Sequence, residues 1–213
     1  MIEAVLWDFG GVLTTSPFEA FNRYEAERGL PRDFIRTVNA TDPDTNAWAL
    51  FERAEIDPAL FDARFLMEST ALGHPVRGAD VLPLLSGDIR PRMVAALEAC
   101  RARFKVGCIT NNVKTGAGAS MAVGADKASA TGAIMARFHH VIESSKLGIR
   151  KPDPRIYALM CEALDIEPRA CVYLDDLGIN LKPARAMGMA TIKVESEAQA
   201  LKELSEATGL DLH

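Results

Sequence analysis

The chain has 213 residues, of which 48% are hydrophobic and 25% charged, enough apolar material for one large domain or for a core carrying a smaller insert. A net charge of −5 and a pI of about 5.4 argue against a general nucleic-acid or anionic-membrane surface, though they allow a local basic pocket. Its four cysteines, Cys100, Cys108, Cys161 and Cys171, form no C-x-x-C pair and have no His cluster, so they read as reduced thiols and not as a zinc site.

The chain opens on Met1-Ile2-Glu3, with no basic n-region and an apolar run of only a few residues, so no signal peptide is expected. No stretch approaches the ~18 apolar residues of a membrane span, and a cytoplasmic protein is expected. Ala4-Val5-Leu6-Trp7 predicts a first buried strand. Asp8 ends it and Gly10-Gly11 follow, so a carboxylate meets a backbone that can turn tightly against a ligand. The plainer alternative is an Asp that caps a turn.

Residues 17–86 then read as purely helical. Phe18, Phe21 and Tyr24 recur at helical spacing, and Gly29-Leu30-Pro31 ends that helix. Trp48 and Phe51 mark a second apolar stripe. Asp57-Pro58 reads as an N-cap with Pro at the first helical position, opening a helix through Leu60, Phe61 and Phe65 that stops at Gly73. About 70 helical residues are too many for one crossover, and the stretch reads as an inserted cap whose aromatics form its own core. Arg90 and Arg92, at its return, could reach an anion from the hinge, but are expected on the surface.

A helix over Pro91–Arg103 leads to a strand over Phe104–Ile109, which Thr110-Asn111-Asn112 follow. Taken alone, that hydroxyl and those amides suit a loop cap. Lys114–Gly132, rich in Gly, Ala and Ser, predicts a mobile loop in which a terminal Ala-rich helix has room to form. His139-His140 sits beside a short strand at Val141-Ile142 and reads as structural or surface. Lys151 precedes a Pro and a helix over Pro154–Leu164; a lone Lys is ordinarily solvated. A strand over Ala170–Leu174 ends in Asp175-Asp176. Two adjacent carboxylates repel unless a cation joins them, and the plainer alternative is helix capping by Asp176. A strand over Ala190–Val194 and a helix opened by a Ser196/Gln199 capping box and closed near Gly209 complete the chain.

Strand–helix alternation implies an α/β fold with a doubly wound, Rossmann-like parallel sheet as core (residues 1–16 and 87–213) and an inserted helical cap (17–86). In such a sheet the four polar segments that follow strands converge at one edge.

In that order, Asp8, Thr110, Lys151 and Asp175-Asp176 with Asn180 resemble the four motifs of the haloacid dehalogenase-like hydrolase superfamily. Asp8-Phe9-Gly10-Gly11-Val12-Leu13, Thr110-Asn111-Asn112 and Leu174 to Arg185 are most similar to the phosphatase-like domain at the N-terminus of mammalian soluble epoxide hydrolase and to its stand-alone bacterial relatives. The resemblance implies a magnesium-dependent phosphatase for a small phosphorylated metabolite; epoxide hydrolysis belongs to a different domain and is not implied. It makes Asp8 the nucleophile, with Thr110, Lys151 and Asp176 beside it in the catalytic set. Mg²⁺ would be held by Asp8, the carbonyl of Gly10, Asp176 and Asp175, the last directly or through water. Thr110, Asn111 through its backbone N–H, and Lys151 would bind the phosphoryl group, and Asn180 would hold the loop or a metal-bound water. A monomer or homodimer is expected.

One departure stands out. Most phosphatases of the superfamily carry an Asp acid–base where this chain has Gly10, and such groups contribute typically ~10²–10⁴-fold. An enzyme selective for good leaving groups, a cap residue or water standing in, or a catalytically weak phosphate-binding pseudoenzyme would each follow. A metal-free 2-haloacid dehalogenase also lacks the second acid, but Asp175-Asp176 speaks against an anionic substrate without a cation.

Overall fold

The computed structural model describes residues 1–113 and 124–212. In chain order its elements are β1 (Ala4–Trp7), α1 (Pro17–Arg28), α2 (Phe34–Ala40), α3 (Ala47–Glu52), α4 (Pro58–Ala71), α5 (Gly78–Val81), α6 (Pro91–Arg101), β2 (Lys105–Thr110), α7 (Ala125–Met135), β3 (His140–Glu143), α8 (Ser144–Leu147), α9 (Pro154–Leu164), β4 (Cys171–Asp175), α10 (Gly178–Ala186), β5 (Ala190–Lys193) and α11 (Glu197–Thr208). Among these residues no helix is long and apolar enough to cross a membrane.

The five strands form one parallel sheet in the order β3-β2-β1-β4-β5. β1 and β4 are buried along their whole length, as strands covered on both faces must be. Alternate residues supply the two faces. Val5, Trp7, Val106, Cys108, Val172 and Leu174 pack with α6 and α11. Ala4, Leu6, Ile109 and Tyr173 pack with α9 and α10. This period-two division places the helices on both sides of the sheet. Strand order reverses direction at β1, so the carboxyl ends of β1 and β4 form the switch point where such sheets bind ligands.

The predicted helix boundaries rest on visible caps. Ser196 and Gln199 make both hydrogen bonds of a capping box, Asp57 accepts from Leu60 N–H ahead of Pro58, and Gly29 closes α1 in the left-handed conformation at φ 64°. The Ala-rich helix allowed for at the end of the Lys114–Gly132 stretch forms. Residues 114–123 lie outside the described residues, but helix already runs from Ala125 to Met135 and includes Gly132, because Ala128, Ala130 and Ala133 favour it.

Between β1 and β2 the chain wraps helices around a third apolar cluster. Phe21, Ile35, Phe51, Phe61 and Phe65 are its buried members, Phe18 and Trp48 flank it, and Val113 reaches in from the loop after β2. The chain leaves the sheet and returns to it through two paired segments: Thr14 bridges Ile89, Thr15 N–H donates to Asp88 O at 2.8 Å, and Arg90 N–H donates to Leu13 O at 2.9 Å. A Cβ on Gly87 would sit 2.5 Å from the Thr15 carbonyl oxygen. Gly87→Ala is therefore expected to pry the two segments apart and to destabilise the protein by about 1–3 kcal/mol, read as a lower urea midpoint at unchanged slope.

Candidate active site

Asp8 stands at the switch point. Its backbone N–H donates to Leu174 O at 2.8 Å, extending the β1–β4 ladder by one residue. One carboxylate oxygen, Oδ1, accepts from Phe9 N–H at 2.7 Å and faces Lys151 Nζ at 2.8 Å. Among the described residues no donor binds Oδ2. The chain then turns through Gly11 at φ 75°, where a Cβ would lie 2.1 Å from Asp176 Oδ2, so both conformation and space demand glycine. Arg90 Nη1 donates to Gly11 O at 2.9 Å and fixes that turn from the far side of the helical stretch. At Gly10, by contrast, a Cβ would meet nothing within 4 Å.

Lys151 is 1% exposed, and its ammonium lies 2.8 Å from both Asp8 Oδ1 and Asp175 Oδ2. Asp175 is fully buried, which would be costly for a lone carboxylate. Here Tyr173 OH donates to Oδ2, Leu177 N–H to Oδ1 at 2.8 Å, and Asn180 Nδ2 to both oxygens at 3.0 and 3.1 Å. Asn180 is held in turn, its carbonyl accepting from Tyr157 OH at 2.6 Å. Asp176 points the other way, and Ser16, the N-cap of α1, donates its hydroxyl to Asp176 Oδ2 at 3.2 Å.

Asp8, Asp175 and Asp176 each bring a carboxylate oxygen within 4.8 Å of the others. Three buried or half-buried carboxylates thus face one ammonium, an imbalance equal to the charge of a divalent cation. The titration of the site reports the same excess. Burial pushes the Asp8 carboxyl well above its ordinary value; Lys151 opposes this, and Asp175 and Asp176 add to it. Burial, then Asp175, pushes Asp176 up to about 6. Burial alone would lower the Lys151 ammonium, but Asp175 and Asp8 outweigh it and hold the lysine charged. An all-oxygen donor set with surplus negative charge fits a hard divalent ion such as magnesium.

Of the site residues expected from sequence, Asp8, Lys151, Asp175 and Asp176 converge directly. Thr110 ends β2 at the same sheet edge; it is buried, and its hydroxyl makes no hydrogen bond among the described residues. The Asn111 side chain turns to Lys151 instead of outward, accepting from Lys151 N–H at 2.9 Å and donating to Lys151 O at 3.1 Å. His139 proves structural, its Nδ1 accepting from Val106 N–H at 2.9 Å. Ser16, Tyr173 and Glu52 carry no motif signal for the site. Arg90 was expected on the surface, yet it is half-buried on the glycine turn. The one signal available for Tyr173 was its place two residues before Asp175 on the same strand, which puts both on one face.

Comparison with known proteins gives the family and the fold. The family model for haloacid dehalogenase-like hydrolases matches residues 2–188. The bifunctional epoxide hydrolase 2 of Sus scrofa is 39% identical over 99% of this chain, which spans only 40% of that protein. Phosphatase MT3486 of Mycobacterium tuberculosis is 29% identical, over 93% of this chain and 89% of the relative. A haloacid dehalogenase-family enzyme from Bacteroides thetaiotaomicron, solved with magnesium and inorganic phosphate, superposes with a TM-score of 0.60 at 19% identity, covering 92% of this chain and 96% of its own.

The raised Asp176 carboxyl has a definite sign in chelator-treated protein. Well below pH 3.8 the acid is neutral whether the chain is folded or not; between 3.8 and about 6 the unfolded chain ionises first, so stability declines as pH rises. Asp176→Asn removes that decline. The variant is expected to exceed the wild type by about 1–3 kcal/mol at pH 7 and to match it near pH 3.5, in paired urea titrations without metal.

Proposed function

Because the chain belongs to the haloacid dehalogenase-like hydrolases, we propose that it is a magnesium-dependent phosphatase that acts on a small phosphate monoester through an aspartyl-phosphate on Asp8. The observation that carries this is the Asp8 carboxylate itself: one oxygen is pinned by Lys151 and Phe9 N–H, the other has no donor among the described residues, and two further acids stand beside it. The phosphatase name of the mycobacterial relative and the magnesium and phosphate held by the Bacteroides enzyme support the same reading.

In this mechanism Asp8 Oδ2 attacks phosphorus while Oδ1 stays fixed, the ester P–O bond breaks and its oxygen departs as an anion that solvent protonates, and water then hydrolyses the mixed anhydride to return the Asp8 carboxylate and free phosphate. Lys151 offers a compact, immobile positive charge that offsets both the nucleophile and the phosphoryl group. Thr110 Oγ1 and the Asn111 N–H donate to phosphoryl oxygens. Asp8, the Gly10 carbonyl and Asp176 would hold magnesium, which supplies charge neutralisation at the phosphoryl oxygens when bound. Asp175, whose oxygens already accept from Lys151, Tyr173, Asn180 and Leu177, would join that shell through water and act mainly as the lysine's anchor. Residues 17–86 would serve as the cap over a core of 1–16 and 87–213 and would carry substrate choice. We read the protein as cytoplasmic, a monomer or homodimer, with a phosphorylated metabolite as partner and neither nucleic acid nor membrane.

Gly10 shapes the substrate range. No side chain there can protonate a leaving group, so aryl, acyl and anomeric sugar phosphates should be favoured over alkyl ones. The test is phosphate release from such a panel with and without magnesium, beside Asp8→Asn. Release that needs magnesium and vanishes in the variant is expected; phosphate bound without turnover would instead make the chain a binding module. Because a side chain at Gly10 meets open space, Gly10→Asp is further expected to raise the alkyl-ester rate by ~10–100-fold while leaving aryl esters within ~3-fold. Equal gains on both classes would remove the link between Gly10 and leaving-group choice.

A further inference from the structure

Glu52 is the last residue of α3, in the helical stretch, yet its carboxylate is buried against the sheet edge. Oε1 accepts from Trp48 Nε1 at 3.0 Å on its own helix. Oε2 faces Arg150 Nε at 2.9 Å and Asn111 Nδ2 at 3.4 Å. Arg150 and Asn111 then converge on one acceptor, the Lys151 carbonyl, which receives Arg150 Nε at 3.2 Å and Asn111 Nδ2 at 3.1 Å. Lys151 N–H closes the ring by donating to Asn111 Oδ1 at 2.9 Å. One carboxylate therefore orients both side chains that clamp the two peptide groups flanking the lysine.

The same stretch is tied down twice more beside it. Ser144 donates its hydroxyl to Glu52 O at 2.8 Å while accepting from Asn112 N–H at 3.0 Å, and Arg150 Nη1 donates to Pro43 O at 3.1 Å. Simple adhesion at this contact would be served as well by apolar side chains, since a buried ion pair carries a desolvation cost that its attraction only partly offsets. What the carboxylate adds is a fixed negative charge beside the guanidinium whose Nε–H is turned to the Lys151 carbonyl, and an acceptor for the Asn111 amide.

We propose that Glu52 is a positioning residue for Lys151, acting through Arg150 and Asn111, so that the lysine is aligned on Asp8 and Asp175 only when the helical stretch is seated. The catalytic part of this inference rests on the phosphatase reading; the geometric part does not. Lys151 meets its two carboxylates at 2.8 Å, and a displacement of ~1 Å at such a site can cost ~10²-fold in rate.

Two measurements on the full chain test it. In amide hydrogen exchange, Glu52→Gln is expected to lower protection of the Lys151 N–H by ~10-fold while the amides of β4 stay unchanged; unchanged protection at Lys151 would overturn the proposal whatever the enzyme's activity. In kinetics with an aryl phosphate, Glu52→Gln is expected to lower kcat by ~10–100-fold with KM within ~3-fold, and to have no further effect in a Lys151→Ala background. An equal loss in that background, or a rise in KM at constant kcat, would make Glu52 a docking contact and sink the positioning role. Absence of turnover in the wild type would count against the phosphatase and leave the exchange result to decide the geometry. If Glu52→Gln does not fold, Arg150→Gln interrupts the same ring and is judged by the same two outcomes.

Discussion

An ammonium group wedged between two carboxylates in the interior is the interaction on which the rest of this molecule depends. Lys151, Asp8 and Asp175 are almost wholly shielded from water, and removing one member of such a buried set costs about 3–5 kcal/mol because an uncompensated charge stays behind. The fold is arranged to make the set affordable. Adjacent parallel strands β1 and β4 deliver the two acids at neighbouring ends, and the turn before α9 delivers the lysine from beyond β3. Tyr173 and Asn180 saturate Asp175, and among the described residues Asp8 has Lys151 and its neighbouring peptide N–H as donors. Asp176 is left over, half-buried and short of positive charge, and that residual imbalance is what makes the site a candidate for a divalent ion.

The helical stretch belongs to the same system. Its apolar core is its own, yet its polar edge is spent on the loops that follow β2 and β3: Glu52 on Arg150 and Asn111, the Glu52 carbonyl on Ser144, the Pro43 carbonyl on Arg150. Its entry and exit serve the loop after Asp8 and the end of β4 in the same way, Ser16 reaching Asp176 and Arg90 reaching the Gly11 carbonyl. An insertion that only shielded the site would need none of these bonds.

Much of this was legible because it is local. Strands announced themselves as short apolar runs, α1, α4 and α11 through cap residues within a few positions of their ends, and the acids and lysine through their place just after strands. What escaped notice is long-range or poorly signalled. α2 follows Asp33, an N-cap residue type that sits at φ 60° and makes no side-chain cap bond, so its start lacks the capping contact that marks α1, α4 and α11. Ser16 to Asp176 spans 160 residues and Arg90 to Gly11 spans 79, distances over which a single sequence carries no pairing information. Asn111 was placed correctly at the sheet edge, but the direction of its side chain depends on where the Lys151 loop folds back, 40 residues later.

The two neighbouring glycines show how far structure can separate constraint from choice. Gly11 is dictated twice, by its left-handed backbone and by the Asp176 oxygen that occupies the place of a side chain; any other residue there would displace an acid of the site. Gly10 is dictated by neither, since its backbone is ordinary and the space beside it is open. Packing therefore does not account for the missing carboxylate next to Asp8. A fourth acid in a cluster already short of positive charge would deepen the repulsion that raises Asp8 and Asp176, and a site without it keeps its nucleophile easier to ionise at the expense of a proton donor. Under the proposed phosphatase mechanism, Gly10 would trade leaving-group protonation for charge on Asp8, a trade that would suit esters whose leaving groups depart as anions.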